Sequence, residues 1–289
     1  MVQKKKSALS WYHLVLILFL GCWTIYVIMA ILTRVIAYPN LFRTSRSDAA
    51  HTALIDHTEI IPLEITADCG TLIGYMAPCG RQAAPLVLYF GGNGTNAATT
   101  LMSLHGYRAA AFSNVHVAMV DYPGYGQSEG KPSDITFKQS ALAIYDALAA
   151  REDVTEIIVI GYSIGTGPAS YVASRRDVSG LILMAPYAHV ADLFNNVVNM
   201  FYGPFKPLAT CGYNMSPVRF AKHVDVEPLL LVAERDNTVS YDSIVHLGET
   251  FPAGYELVTI PGIKHNEFWY SGTTLREIGE YFDQVTGSP

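Results

Sequence analysis

The sequence predicts an α/β fold: a mostly parallel sheet flanked by helices and preceded by one transmembrane helix. Three observations carry that expectation. From about residue 85 onward, short and continuously apolar runs alternate with helical patterns, as happens when helices cover both faces of a parallel sheet. Before them, the turn signal Ala67-Asp68-Cys69-Gly70 separates two extended runs, which reads as an antiparallel start. At the N-terminus, residues 11–33 (WYHLVLILFLGCWTIYVIMAILT) carry no formal charge unless His13 is protonated.

The N-terminal run comes first. At 1.5 Å per residue it would make a helix of about 35 Å, enough to cross a ~30 Å hydrocarbon core with some tilt. Trp11 and Tyr12 stand where an interfacial aromatic belt would sit. A cleaved signal peptide has a shorter apolar stretch and a small-x-small cleavage site. Neither feature fits, so residues 1–33 read as a retained anchor. Lys4, Lys5 and Lys6 favour a cytoplasmic N-terminus, whereas Arg34, Arg43 and Arg46 nearly cancel that bias. The compact lysine triplet tips the expectation toward a single-pass protein with its domain on the non-cytoplasmic side.

Residues 34–57 show no clear periodicity and read as a linker along the domain edge. The catalytic domain is expected over 58–289. Its hairpin falls at 58–66 and 72–76, and the later strands at 85–90, 115–121, 156–161, 180–185, 228–232 and 255–260. Helical patterns lie between them at 98–112, 135–150, 165–174, 241–251 and 274–285. Such βαβ alternation predicts a three-layer sandwich. One long connection, 187–226, holds Phe194, Phe201, Tyr202, Phe205 and Tyr213 and is expected to form a small cap.

Composition narrows the function classes. The chain has 289 residues, 50% hydrophobic and only 15% charged, with a mean hydropathy of +0.23. A net charge of −6 without basic clusters beyond the extreme N-terminus argues against nucleic acid as a partner. The four cysteines (Cys22, Cys69, Cys79, Cys211) are too few for a disulfide framework. Cys69 and Cys79 stand at opposite ends of an extended run, which would separate them by about 30 Å against the ~5.5 Å between Cα atoms that a disulfide needs.

The chemistry centres on Gly161-Tyr162-Ser163-Ile164-Gly165, which follows the apolar run EIIVI and precedes a helical pattern. A nucleophile on a tight strand-to-helix turn adopts strained backbone angles and needs small residues two positions to either side. The turn would hold the Ser163 hydroxyl at a helix N-terminus, where the amide of Ile164 can stabilise an oxyanion.

Serine is a poor nucleophile at its normal pKa and requires a base that an acid orients. In the α/β-hydrolase fold the order along the chain is Ser, acid, His, on loops after successive strands. Asp236 in LLLVAERDNTV and His265 in ELVTIPGIKHNEF occupy those places. Asp236 would fix the imidazole, and His265 would take the Ser163 proton. Rival histidines are His189, His223 and His246, and rival acids are Asp242 and Glu234.

A second oxyanion donor is expected in the loop Gly91-Gly92-Asn93-Gly94, with the amide of Asn93 as the candidate. That loop lacks the Lys and Ser/Thr spacing of a phosphate-binding loop. In Asp121-Tyr122-Pro123-Gly124-Tyr125-Gly126-Gln127-Ser128, the paired tyrosines read as a rigid loop beside the pocket, with Asp121 and Ser128 structural. No metal-ligand motif is visible, and Asn266 and Glu267 are expected to steady the histidine loop. No metal or cofactor is expected.

Together, LYFGGNGTN, DYPGYGQSEGKPS, GYSIGTGPA, PLLLVAERDNTV and IPGIKHNEF resemble the alpha/beta-hydrolase-domain membrane serine hydrolases, the Bem-type family with bacterial and eukaryotic members. The resemblance covers nearly all of the chain after about Leu54. It implies an N-terminal anchor and cleavage of esters or thioesters, with lipid or acyl-protein substrates. One departure touches the oxyanion loop: Gly91 stands where relatives usually carry His.

The expected function is therefore hydrolysis of carboxylic esters or thioesters through an acyl-enzyme on Ser163, acting on a small-molecule, lipid or acylated-protein substrate at a membrane. The competing expectations are a non-catalytic, membrane-tethered binding protein on the same fold, and a serine peptidase.

Overall fold

The computed structural model describes residues 11–194 and 214–287. Lys4, Lys5 and Lys6 lie outside them, as do Phe201, Tyr202, Phe205 and Tyr213, so about half of the expected cap, 195–213, falls outside the described residues.

The chain begins with helix α1, Trp11–Leu41. Its first part, Trp11–Met29, has a mean hydropathy of 2.0, and none of it is buried against the domain, so it is long and apolar enough to cross a membrane. Residues 34–57 depart from the linker reading. The helix runs on to Leu41, and a second helix, α2 (Asp48–Ile55), follows. Eight residues are too few for periodicity to register, but the local chemistry is sufficient. The side chain of Ser47 accepts from the Ala50 amide, Asp48 sits in the first turn, and Ala50 and Leu54 are buried. Such a cap is worth about 1 kcal/mol.

Eight strands form one sheet in the order β1-β2-β4-β3-β5-β6-β7-β8. Strands β1 (Ile61–Ala67) and β2 (Gly70–Ala77) pair as an antiparallel hairpin, from Ile61 opposite Met76 to Ala67 opposite Gly70. Asp68 and Cys69 make the turn, and Gly70 takes the positive φ of 121° that only glycine adopts freely. Cys22, Cys69 and Cys79 are free thiols.

The strands β3 (Ala84–Phe90), β4 (His116–Val120), β5 (Val154–Tyr162), β6 (Gly180–Met184), β7 (Leu229–Ala233) and β8 (Glu256–Ile260) run parallel to their sheet neighbours in this half. Side chains alternate across the pleat. Ile157 and Val159 therefore join one core and Ile158 and Ile160 the other. Burying each such side chain contributes about 1.5–3 kcal/mol.

The first core is covered by α4 (Asp134–Ala149), α5 (Thr166–Ala173), α6 (Pro217–Ala221) and α7 (Tyr241–Gly248), through Phe137, Val172, Val218 and Ile244. The second is covered by α2, α3 (Ala97–Ala111) and α8 (Gly272–Thr286), through Leu54, Leu101 and Ile278. The result is the three-layer sandwich that the alternation of elements predicts.

Candidate active site

The order of strands reverses where β3 lies between β4 and β5. Such a switch point opens a crevice at the carboxyl ends of the strands. Loops after β3, β5, β7 and β8 converge there.

Ser163 follows β5 at φ 52°, a left-handed conformation that a non-glycine residue adopts only at a cost. The two glycines of the motif have distinct steric reasons. A Cβ on Gly161 would lie 2.6 Å from the Ala169 Cβ and 2.8 Å from the Gly165 carbonyl oxygen. A Cβ on Gly165 would lie 2.6 Å from the Gly91 carbonyl oxygen and would overlap that of Phe90. The bend fits only when both positions are bare. The carbonyl of Ser163 accepts from the Thr166 hydroxyl at 2.7 Å, fastening the bend to the start of α5. Ile164 lies in the short 3-10 turn Ser163–Gly165, so its amide is among the leading helix amides that need an outside acceptor.

His265 Nε2 is 2.9 Å from Ser163 Oγ, and its Nδ1 is 2.7 Å from Asp236 Oδ2. The side chains of His265 and Asp236 are 9% and 3% exposed. An ionised carboxylate only accepts, so the proton of a neutral imidazole belongs on Nδ1, which leaves Nε2 to accept from the Ser163 hydroxyl. Asp236 Oδ1 accepts from the amides of Thr238 and Val239 at 2.7 and 3.0 Å. Burial alone would raise the Asp236 carboxyl, but the hydrogen bond and charge of His265, with those two amides, outweigh it and hold the group below the usual carboxylate range.

The rivals sit elsewhere. Glu234 Oε2 accepts from the Gly262 amide at 2.7 Å, tying the acid loop to the histidine loop. Asp242 lies in the first turn of α7. His189 stacks on His246 with ring centroids 5.5 Å apart, and its Nδ1 is 3.9 Å from Asp192. The His223 amide closes the turn after α6 by donating to the Phe220 carbonyl.

Asn266 and Glu267 steady the histidine loop, as expected. Asn266 Oδ1 accepts from the Tyr162 hydroxyl, and Glu267 Oε2 accepts from the Lys264 amide at 2.9 Å. Tyr162 itself is a residue that the motif reading passed over, because it occupies a variable place in Gly-x-Ser-x-Gly. Its hydroxyl also donates to the His265 carbonyl at 3.0 Å.

On the other side of Ser163, the glycine loop passes close. A Cβ on Gly92 would lie 3.7 Å from the Ser163 Cβ and 2.7 Å from the Tyr162 ring. Asn93 is exposed, and among the described residues its amide donates to no acceptor. Its Oδ1 accepts from the Tyr125 hydroxyl at 3.0 Å, while the Tyr122 hydroxyl donates to the Gly91 carbonyl at 2.9 Å. Asp121 has the structural place expected of it. It is buried and accepts from the Ala97 amide at 2.6 Å and the Gln127 amide at 3.3 Å. Burial pushes its carboxyl up to about 6. The Ser128 hydroxyl donates to the Asp121 carbonyl at 2.8 Å and accepts from the Ile73 amide at 2.9 Å.

A raised hydroxyl, an imidazole within hydrogen-bond reach of it and a carboxylate behind the imidazole form a set that can add a nucleophile to a carbonyl. The model of the alpha/beta hydrolase family matches residues 91–242, and the chain belongs to this family. Among curated proteins it is similar to lysophosphatidylserine lipase ABHD12 of Gallus gallus, 28% identical over 180 residues, which cover 57% of this chain and 46% of that protein. It is also similar to protein ABHD12B of Homo sapiens, 23% identical over 225 residues, covering 71% of this chain and 62% of the relative. The chain spans about half the length of the curated relatives it matches first. Among solved structures, an alpha-beta hydrolase from Vibrio vulnificus superposes with a TM-score of 0.66 at 21% identity, covering 90% of this chain and 93% of that one. Est1E from Butyrivibrio proteoclasticus with bound ferulic acid gives 0.63 at 17% identity, covering 78% and 100%. These two likenesses concern the fold.

Proposed function

We propose that this chain is a membrane-anchored serine hydrolase that cleaves carboxylic ester or thioester bonds of lipid or acylated substrates through an acyl-enzyme on Ser163. The observation that carries the reading is the unbroken chain of contacts from Asp236 through His265 to Ser163, at 2.7 and 2.9 Å, on a bend strained to φ 52°.

The steps follow from that geometry. As Ser163 Oγ attacks the acyl carbon, its proton passes to His265 Nε2. Asp236 stabilises the resulting imidazolium without taking the proton itself. The carbonyl oxygen becomes an oxyanion, held by the amides of Ile164 and Asn93. Collapse of the tetrahedral adduct breaks the bond to the leaving oxygen or sulfur, which takes the proton from His265. Water then attacks the acyl-enzyme, with His265 again as the base, and frees the acid and Ser163.

The apolar stretch of α1 and the lipase named among the relatives support a lipid substrate and single-pass membrane attachment. The lysine triplet before the helix supports a domain on the non-cytoplasmic side. Exposed Ile135, Tyr241 and Tyr270 stand near the starts of helices that follow parallel strands, on the same end of the sheet as the site, where an interface would receive them.

The test is turnover of a series of 4-nitrophenyl esters and acyl thioesters by the full-length protein and its Ser163→Ala variant. The variant should keep its fold and lose nearly all turnover, retaining only what binding and the oxyanion amides supply. Equal turnover in a folded Ser163→Ala variant would refute the reading.

A further inference from the structure

The segment that leaves α1 does more than join it to the domain. Directly after Leu41, Phe42 is buried at 7% exposure, with its ring 5.1 Å from that of Phe137. The Arg43 amide donates to Asn93 Oδ1 at 2.7 Å, the same atom that accepts from the Tyr125 hydroxyl. The Ser45 carbonyl accepts from the Gly126 amide at 2.8 Å, and Ser45 Oγ accepts from Asn96 Nδ2 at 3.1 Å. At the start of α2, Asp48 Oδ1 accepts from Gln127 Nε2 at 2.7 Å. Within a few residues, this stretch is bonded to two points of the 91–96 loop and to the tyrosine loop beneath it.

The loop that it touches is closed by Thr95, whose amide and hydroxyl donate to the Gly92 carbonyl at 3.3 and 2.8 Å, while the Asn93 side chain between them is held from elsewhere. Gly91, Gly92 and Gly94 surround Asn93, and Gly94 takes φ 80°, so this loop has few side chains of its own to limit its backbone angles. A small rotation about the bonds of Asn93 would swing its amide away from the oxyanion position. The Asn93 side chain is restrained from outside that turn, through two donors that converge on one oxygen, and one of them is the backbone of Arg43.

We propose that residues 42–48 act as a strap that positions the oxyanion loop through Asn93, making the anchor helix and the site one mechanical unit. The proposal rests on the hydrolase reading above. Tyr125 and the Arg43 amide are positioning groups in it that act through Asn93, and Ser45 is one that acts on the same loop through Asn96. Pre-placed donors matter to catalysis because they are not reoriented during the reaction. Loss of an entire oxyanion donor costs about 10²–10³ in kcat, so a loosened one should cost on the order of tenfold.

The experiment uses the full-length protein in detergent micelles, with competent sites counted by fluorophosphonate titration and turnover measured on 4-nitrophenyl butyrate. The double variant Ser45→Ala/Tyr125→Phe removes two of the hydrogen bonds and leaves the core filled. Phe42→Ala unseats the strap, and Phe42→Leu should regain most of its loss. The expected result is a drop in kcat per titrated site on the order of tenfold, with KM within about twofold. A general loss of stability would lower the number of competent sites and leave kcat per site unchanged. If Phe42→Ala fails to fold, the double variant decides. Wild-type kcat per titrated site in the double variant, or a change in KM alone, would overturn the strap while leaving the hydrolase reading intact. A wild type that neither titrates nor turns over would instead remove the hydrolase reading on which the strap rests.

Discussion

The hydroxyl of Tyr162, the residue just before Ser163, donates at 2.7 Å to Oδ1 of Asn266, the residue just after His265. The same hydroxyl donates to the His265 carbonyl at 3.0 Å, and its ring lies tilted against the imidazole with centroids 5.5 Å apart. Ser163 and His265 come from loops about a hundred residues apart, and this side chain ties the two loops together. The Ser163–His265 separation of 2.9 Å is therefore fixed from behind as well as by the Asp236 bond.

Tyr162→Phe should accordingly lower kcat about tenfold with KM little changed, since a displaced base harms only the proton-transfer step. Steady-state kinetics on a soluble ester check this. Undiminished kcat would mean that the loops hold their spacing without the hydroxyl.

Asp236→Asn should keep the fold and reduce kcat by about 10⁴, because an amide in this place leaves the imidazole in the wrong tautomer. Titration of competent sites alongside turnover separates this loss from misfolding.

The strain at Ser163 predicts an asymmetry between two inactive variants. Ser163→Gly relieves the φ of 52°, whereas Ser163→Ala retains it. The glycine variant should be more stable by about 1 kcal/mol, which chemical unfolding of the two proteins measures. A less stable glycine variant would show that the bend stores no strain.

Two carboxylates set opposite pH dependences of stability. The Asp121 carboxyl is raised to about 6, so the folded state binds its proton more tightly than the unfolded chain, in which the group titrates near 4. Its stabilising contribution is full below pH 4 and is lost as the pH rises toward and through 6, by about 3 kcal/mol for a shift of roughly two units. Asp236 is lowered, so its contribution is present above about pH 4 and is lost as the pH falls through its folded value. Denaturant unfolding as a function of pH should therefore become flatter between pH 4 and 6 in Asp121→Asn and flatter in strong acid in Asp236→Asn.

Much of this architecture is legible in the sequence because each signal is local. The strand bearing Ile157–Ile160, the two glycines around Ser163, and Asp236 and His265 just past β7 and β8 can all be placed from nearby residues. Three features resist such reading. Helix α2 is too short for its periodicity to register and rests on the cap made by Ser47. Tyr162 occupies a variable position, and its partners His265 and Asn266 lie more than a hundred residues away. The bond from the Arg43 amide to Asn93 spans fifty residues and uses a backbone donor, which leaves no mark on residue type.

The central claim is tested most directly by treating the folded, full-length protein with a fluorophosphonate and locating the adduct by peptide mass spectrometry. One covalent phosphonyl group on the Ser163 hydroxyl, abolished in Ser163→Ala and strongly slowed in His265→Ala, is the predicted result. A protein that stays unmodified, or that carries the label on another residue, would contradict it.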